Sequence, residues 1–251
     1  AGEKLFAALE AFKVDLADAA LLDVGASTGG FTDCALQAGA ASAVCVDCGH
    51  KQLHRILKAD PRVQSFEGVN ARYLTASQLP RSSFDCVVVD VSFISLRLVL
   101  PAIWPLLCKS NPRARLVCLV KPQFEVGKEA VSKGNGLVKD RALCVQSLAD
   151  VIHFAKSELW DCTVTGSIES PIAGGKGQLE FLLALAHASH QPSRSGHDIE
   201  IPEASYVRSL RSSIIIPKPQ SAASRAADYK KRKLEEVARR RAAFVKQPES
   251  T

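Results

Sequence analysis

Four charged residues stand where an apolar chain has little reason to carry charge. Asp90 closes the run FDCVVVD and Lys121 closes RLVCLVK. Glu180 interrupts QLEFLLAL just after the glycine-rich stretch IAGGKGQ. Lys4 sits in the amphipathic segment KLFAALEAF, whose Leu5, Ala8, Leu9 and Phe12 share one face. An acid inside an apolar strand needs a partner, because burying it alone is costly. If the strands ending in Asp90 and Lys121 belong to one parallel sheet, both charges point at the same crevice. Lysines and carboxylates gathered there can take a proton from a hydroxyl. Desolvation or crowding by cations lowers a lysine's pKa, while neighbouring carboxylates hold it in place and oppose that shift. The competing reading is a set of unrelated structural ion pairs.

A second group of residues suits a nucleotide-like ligand. Asp23-Val24-Gly25-Ala26-Ser27-Thr28-Gly29-Gly30 joins an apolar strand to a helix. Gly25 can turn the chain with a positive φ and let a ligand approach the backbone. Gly29 and Gly30 allow tight entry into a helix whose first N–H groups are unpaired. Asp47, twenty-four residues after Asp23, ends the next strand, where an acid accepts hydrogen bonds from ribose hydroxyls. The full G-x-G-x-x-G pattern of a dinucleotide site and the G-K-[ST] of a P-loop are both missing. Asp23 would repel a diphosphate but suits an ammonium group. S-adenosylmethionine has an amino-acid end, a ribose and no phosphate, so it fits this loop better; a ligand-free turn is the plainer alternative. With such a donor, the lysine and carboxylate cluster would serve to deprotonate a ribose 2′-hydroxyl as its oxygen attacks a sulfonium methyl. Asn70, in GVNARYL, either bonds an adenine base or caps a turn.

These residues need a frame. Strands are expected at 20–25, 42–47, 84–90, 115–121, 161–168 and 178–185, with a short one before GVNARYL. Helical patterns fall at 3–12, 29–38, 51–58, 95–108 and 140–158. Near-continuous apolar strands alternating with helices indicate an α/β fold, Rossmann-like, with a mostly parallel sheet flanked by helices. Such a sheet binds ligands beyond the carboxyl ends of its strands. The domain is expected over 1–187. Residues 188–251 read as a Pro/Gly/Ser-containing linker and a basic tail.

The 251 residues are 47% hydrophobic and 23% charged, with a net charge of +6. Residues 1–190 hold 19 Lys+Arg against 19 Asp+Glu, and residues 191–251 hold 13 against 7, so the whole excess lies in the tail. Lys230, Lys231, Arg232, Lys233, Arg239, Arg240 and Arg241 there can neutralise RNA phosphates without reading sequence. A disordered solvated tail, a targeting address and a membrane-surface helix compete with that reading. Lys128 and Lys133, in an expected mobile loop over 122–138, and Lys176 are further phosphate candidates. Of the eight cysteines, Cys45, Cys86 and Cys118 lie in apolar runs, where a thiol behaves as a small hydrophobe. Cys45-x-x-Cys48 lacks a second ligand pair, so no metal site is expected. No run reaches the roughly 18 apolar residues of a spanning helix, and no charged-then-apolar leader pattern precedes the first helix. An intracellular, reducing compartment is therefore expected, cytoplasmic first and organellar second. The chain has no Met, so Ala1 is expected not to be the natural start.

DVGASTGGFTD, VVVDVSFISLRLVLP and LVKPQFEVGKE resemble the signature segments of the haemolysin A (TlyA) branch of the FtsJ-like methyltransferases. The resemblance covers about residues 1–187. It implies S-adenosylmethionine-dependent methyl transfer to ribosomal RNA ribose 2′-hydroxyls. The branch's Lys-Asp-Lys-Glu tetrad would fall on Lys4, Asp90, Lys121 and Glu180. Its cofactor site would fall on Asp23, Gly25 to Gly30 and Phe31, with Asp90 beside them, Asp47 and Cys48 on the ribose side and Asn70 and Ala71 on the adenine side. Members begin with a small RNA-binding domain before the first helix, which these residues lack, and the basic tail would substitute for it. An RNA-binding assembly factor without turnover and a membrane-active protein are the alternatives.

Overall fold

The computed structural model describes residues 1–127, 131 and 136–190. Seven strands form one sheet: β1 (Ala20–Val24), β2 (Ser42–Asp47), β3 (Val63–Glu67), β4 (Cys86–Val89), β5 (Arg115–Val120), β6 (Cys162–Glu169) and β7 (Phe181–His187). Their order across the sheet is β3-β2-β1-β4-β5-β7-β6. The first five are parallel, and β7 runs antiparallel to both β5 and β6. This is the expected Rossmann-like architecture. Its helices are α1 (Gly2–Phe12), α2 (Gly30–Gln37), α3 (Arg55–Lys58), α4 (Leu96–Ile103), α5 (Pro122–Glu125) and α6 (Arg141–Glu158).

The apolar strands are buried on both faces, and the two-residue period sorts their side chains into two cores. Leu22, Val24, Val87, Val89, Leu116 and Val120 join the side chains of α4 and α6. Leu21, Cys45, Val88, Val117 and Leu119 join those of α1 and α2 on the opposite face. Each such side chain contributes about 1.5–3 kcal/mol when fully withdrawn from water. Neighbouring registers, such as Val24↔Val89 and Val89↔Cys118, bring the parallel strands to an end at a common edge.

Three expectations change in detail. The helix over 51–58 contracts to α3, where the His54 Nδ1 accepts from the Ile56 N–H at 3.4 Å. The helix over 95–108 stops at Ile103 and tightens into a 3₁₀ turn, Trp104–Leu106, that contains Pro105. The last strand starts at Phe181 rather than 178, so Glu180 precedes it instead of interrupting it. Gln178 is drawn out of the ladder because its side chain accepts from the Val138 N–H at 2.7 Å. All eight cysteines are unpaired. Burial pushes the Cys34, Cys45 and Cys86 thiols up to about 12, which keeps them protonated and inert. Among the described residues, no helix is long and apolar enough to cross a membrane and no cluster could hold a metal ion. Lys128, Lys133 and the whole basic segment over 191–251 lie outside the described residues.

Candidate active site

The chain leaves β1 through Gly25, whose N–H donates to the Val46 carbonyl at 2.8 Å and hooks the turn across to β2. Gly25 has φ 82°, and a Cβ there would lie 2.4 Å from the Asp90 carbonyl oxygen. Only glycine permits that approach, so the turn rests directly on the backbone leaving β4. The Asp47 carboxylate accepts from the Ser27 N–H at 2.8 Å and from the Gly49 N–H at 2.7 Å. It thereby fixes the loop over the end of β2. Gly29 precedes α2, and Phe31, on its first turn, is buried beneath the loop. Ala26, Ser27, Asp47, Gly49, Gln52 and Glu67 line a small pocket here. Cys48 is exposed beside it.

Asp23 does not face solvent as a free carboxylate. It is fully buried, and the Thr32 hydroxyl donates to its Oδ2 at 2.6 Å. Its Oδ1 has no hydrogen-bond partner among the described residues. Burial, helped by the nearby Asp90 and Asp47 charges, raises its pKa to about 7. Asn70 caps the 3₁₀ turn Ala71–Tyr73 by accepting from the Arg72 N–H at 3.1 Å. The preceding Val69 N–H donates to the Asp47 carbonyl at 3.0 Å, which ties Asn70 and Ala71 to the same edge.

The four charged residues form two ion pairs at that edge. Lys121 Nζ lies 2.7 Å from Asp90 Oδ1 and donates to the Ser92 hydroxyl oxygen at 2.9 Å. Lys4 Nζ lies 2.5 Å from Glu180 Oε2, whose side chain is only 3% exposed. Val120 pairs with Phe181, so the end of β5 and the beginning of β7 meet because the strands run oppositely. Lys121 and Glu180 thus become neighbours through an antiparallel strand that no local pattern announced. Gly174 closes over Glu180, and a Cβ at that position would fall 2.1 Å from Oε1. Lys176 is exposed in the same turn, with φ 57°.

Sequence reading missed three residues here. Ser92 completes the setting of Lys121. Glu125 is buried and bonded to the start of α4. Phe93 is 91% exposed at φ 64°, two residues after Val91, with its ring centroid 5.3 Å from that of Phe124. All three lie within the uncommon strings VVVDVSFISL and LVKPQFE, so the strings marked the segments without assigning these side chains.

This sheet edge thus carries a glycine turn, an acid at the end of β2 and two pairs of lysine and carboxylate, groups that could hold a polar ligand and handle a proton. The family model described as FtsJ-like methyltransferase matches residues 1–187. The chain belongs to the FtsJ-like methyltransferase family. Within that family it is 42% identical over 207 residues to the Bacillus subtilis protein named "Putative rRNA methyltransferase YqxC", covering 82% of this chain and 70% of the relative. It is 46% identical over 182 residues to the Mycobacterium tuberculosis 16S/23S rRNA (cytidine-2′-O)-methyltransferase TlyA, covering 72% of this chain and 65% of TlyA. The chain therefore spans about two thirds of the length of these relatives. A solved Streptococcus thermophilus structure named "Putative hemolysin" superposes with a TM-score of 0.71 at 38% identity, covering 84% of this chain and 73% of that one. The FtsJ-like assignment rests on the match over residues 1–187.

Proposed function

We propose that this chain transfers a methyl group from S-adenosylmethionine to a ribose 2′-hydroxyl of RNA, with ribosomal RNA as the substrate. The observation that carries this reading is the Lys121–Asp90 pair standing against the Gly25 turn. The names of the Bacillus and Mycobacterium relatives support the choice of ribosomal RNA. Asp47 suits the cofactor's ribose and the Asn70–Ala71 turn its adenine side, whereas the buried Asp23 supports the loop from beneath. When bound, S-adenosylmethionine supplies an electrophilic methyl on a sulfonium. The chain's own work is proton handling and positioning. Lys121, as the neutral amine, receives the proton of the 2′-hydroxyl and becomes the ammonium that Asp90 and Ser92 hold. Glu180 keeps Lys4 extended toward the crevice, where its cation orients the ribose or an adjoining phosphate. The basic tail adds non-specific RNA attraction that the neutral body lacks. Eight unpaired cysteines are in keeping with a reducing, cytoplasmic setting.

Two variants test this reading with tritiated S-adenosylmethionine and ribosomal RNA. Lys121→Ala is expected to abolish methyl transfer and to keep the cofactor Kd within about twofold of wild type. Asp47→Ala is expected to weaken cofactor binding about tenfold or more, since hydrogen bonds to a charged acceptor contribute about 1.5–3 kcal/mol. Wild-type turnover in Lys121→Ala overturns the assignment.

A further inference from the structure

The ladder between β4 and β5 stops before either partner of the active pair is reached. Its last register pair is Val89↔Cys118, and although the Asp90 N–H still donates to the Val24 carbonyl of β1 at 2.9 Å, no ladder bond joins the segment of Asp90 to that of Lys121. Something else must hold the two outgoing segments at the separation that their contact requires. Glu125 lies on α5, four residues beyond Lys121, with a side chain only 1% exposed. Its carboxylate crosses to the other segment. Oε2 accepts from the Ser95 hydroxyl at 2.6 Å, and Oε1 accepts from the Leu96 backbone N–H at 2.7 Å. Arg97 Nε lies 3.5 Å from Oε2, and Arg97 Nη2 donates to the Glu125 backbone carbonyl at 2.9 Å.

This arrangement completes a helix cap from another part of the chain. Ser95 caps α4 by accepting from the Arg97 N–H at 3.2 Å. The Leu96 N–H is one of the amides at a helix start that have no partner inside the helix. Leu98, at the third helical position, is apolar and cannot supply the acid that often serves there. Glu125 supplies one instead from a distant turn. The turn itself is stiff, since the Phe124 N–H donates to the Lys121 carbonyl at 2.9 Å. The tilted contact between the Phe93 and Phe124 rings links the same two segments, and Phe93 holds a left-handed backbone there. A buried carboxylate is a costly way to join two segments that apolar packing could join, but it fixes a register that apolar packing leaves loose.

We propose that Glu125 is a positioning residue, clamping the segment from Asp90 to Ser95 against the turn from Lys121 to Glu125 and thereby setting the Lys121–Asp90 contact. The inference rests on the proton-handling role of that pair. Its test compares Glu125→Ala, Glu125→Gln and Ser95→Ala with Lys121→Ala in the full chain. Backbone hydrogen exchange is read first, without cofactor or RNA. In Glu125→Ala the Leu96 and Phe124 amides should exchange about tenfold faster or more, while residues 20–37 stay as protected as in wild type. In methyl transfer to ribosomal RNA, kcat should fall about a hundredfold, with KM for RNA and Kd for S-adenosylmethionine within about twofold.

Glu125→Gln keeps an acceptor for the Leu96 N–H and can donate to Ser95 Oγ, so its kcat should stay within about tenfold of wild type. Ser95→Ala removes the donor to Glu125 Oε2 and the α4 cap acceptor but leaves the Glu125–Leu96 bond, and it should lower kcat several-fold, which preserves the test if Glu125→Ala does not fold. Wild-type exchange at Leu96 and Phe124 in a folded Glu125→Ala or Ser95→Ala protein overturns the clamp. So does a parallel loss of kcat, KM and cofactor affinity with Gln no better than Ala, which is general structural damage. Turnover retained in Lys121→Ala refutes the proton-handling reading instead. An inactive Lys121→Ala beside a fully active Glu125→Ala refutes the clamp alone.

Discussion

Gly25→Ala adds one methyl group at the point where the turn after β1 meets the segment leaving β4. The new Cβ would sit 2.4 Å from the Asp90 carbonyl oxygen, 2.8 Å from its carbon and 3.3 Å from the Val91 nitrogen. All three are backbone atoms, so no side chain can swing aside. Ordinary contact begins near 3.4 Å, and the turn and Asp90 must therefore separate by about 1 Å. The φ of 82° adds about 1–2 kcal/mol for a residue with a Cβ. Stretching the Asp90 N–H bond to the Val24 carbonyl, 2.9 Å long here, contributes about another 1 kcal/mol. Together with overpacking, the expected destabilisation is about 3–5 kcal/mol, a melting temperature lower by roughly 6–20 °C for a domain of this size. A shift of that size at Asp90 should lower kcat about a hundredfold. Thermal unfolding by circular dichroism, cofactor titration calorimetry and tritium transfer measure the three effects separately. Gly175→Ala is the stability control, because nothing lies within 4 Å of its Cβ position and its φ is ordinary; it should stay within about 0.5 kcal/mol. A Gly25→Ala protein with wild-type melting and turnover would refute the close-packed turn.

Lys4→Ala leaves the Glu180 carboxylate buried without its cation, at an expected cost of about 3–5 kcal/mol. The Lys4→Ala/Glu180→Gln double variant should recover most of that loss in chemical denaturation, and equal losses in both variants would contradict a paired buried charge. The pKa of Asp23 is raised to about 7 in the folded chain, against about 3.9 unfolded. Its contribution to stability is therefore complete below about pH 4 and lost as pH rises through 7, by up to about 4 kcal/mol. Asp23→Asn, which carries no titrating proton, should flatten that decline in melting profiles from pH 4 to 7. Parallel profiles for wild type and variant would count against a buried acid that holds its proton.

The strands and the glycine turn were legible because their signals are local. Continuous apolar runs at 20–24, 42–47, 86–89 and 115–120 need cover on both faces, and that need alone specifies a layered α/β sheet. Asp47, Asp90 and Lys121 were legible for a related reason, since a charge closing such a run marks the edge where the sheet meets solvent. Strand direction was not legible. The apolar run of β7 reads the same in either orientation, and only the turn that returns from Glu169 to Phe181 makes it antiparallel. That reversal carries Glu180 to the carboxyl edge of the parallel strands and within reach of Lys4, 176 positions away.

Partnership across the chain was hidden as well. Glu125 appears in the sequence as one more acid after a proline, and its bonds to Ser95 and Leu96 exist only once β4 and β5 lie side by side. Asp23 is an acid in a ligand-like turn when read along the chain, and a buried group with its pKa raised to about 7 once α2 closes over it. The sequence determined which residues are charged and which segments must be buried, because hydrophobic periodicity is written residue by residue. The tertiary structure decided which charges face one another and which keep a proton, because both depend on distances and burial that arise only when separated segments pack together.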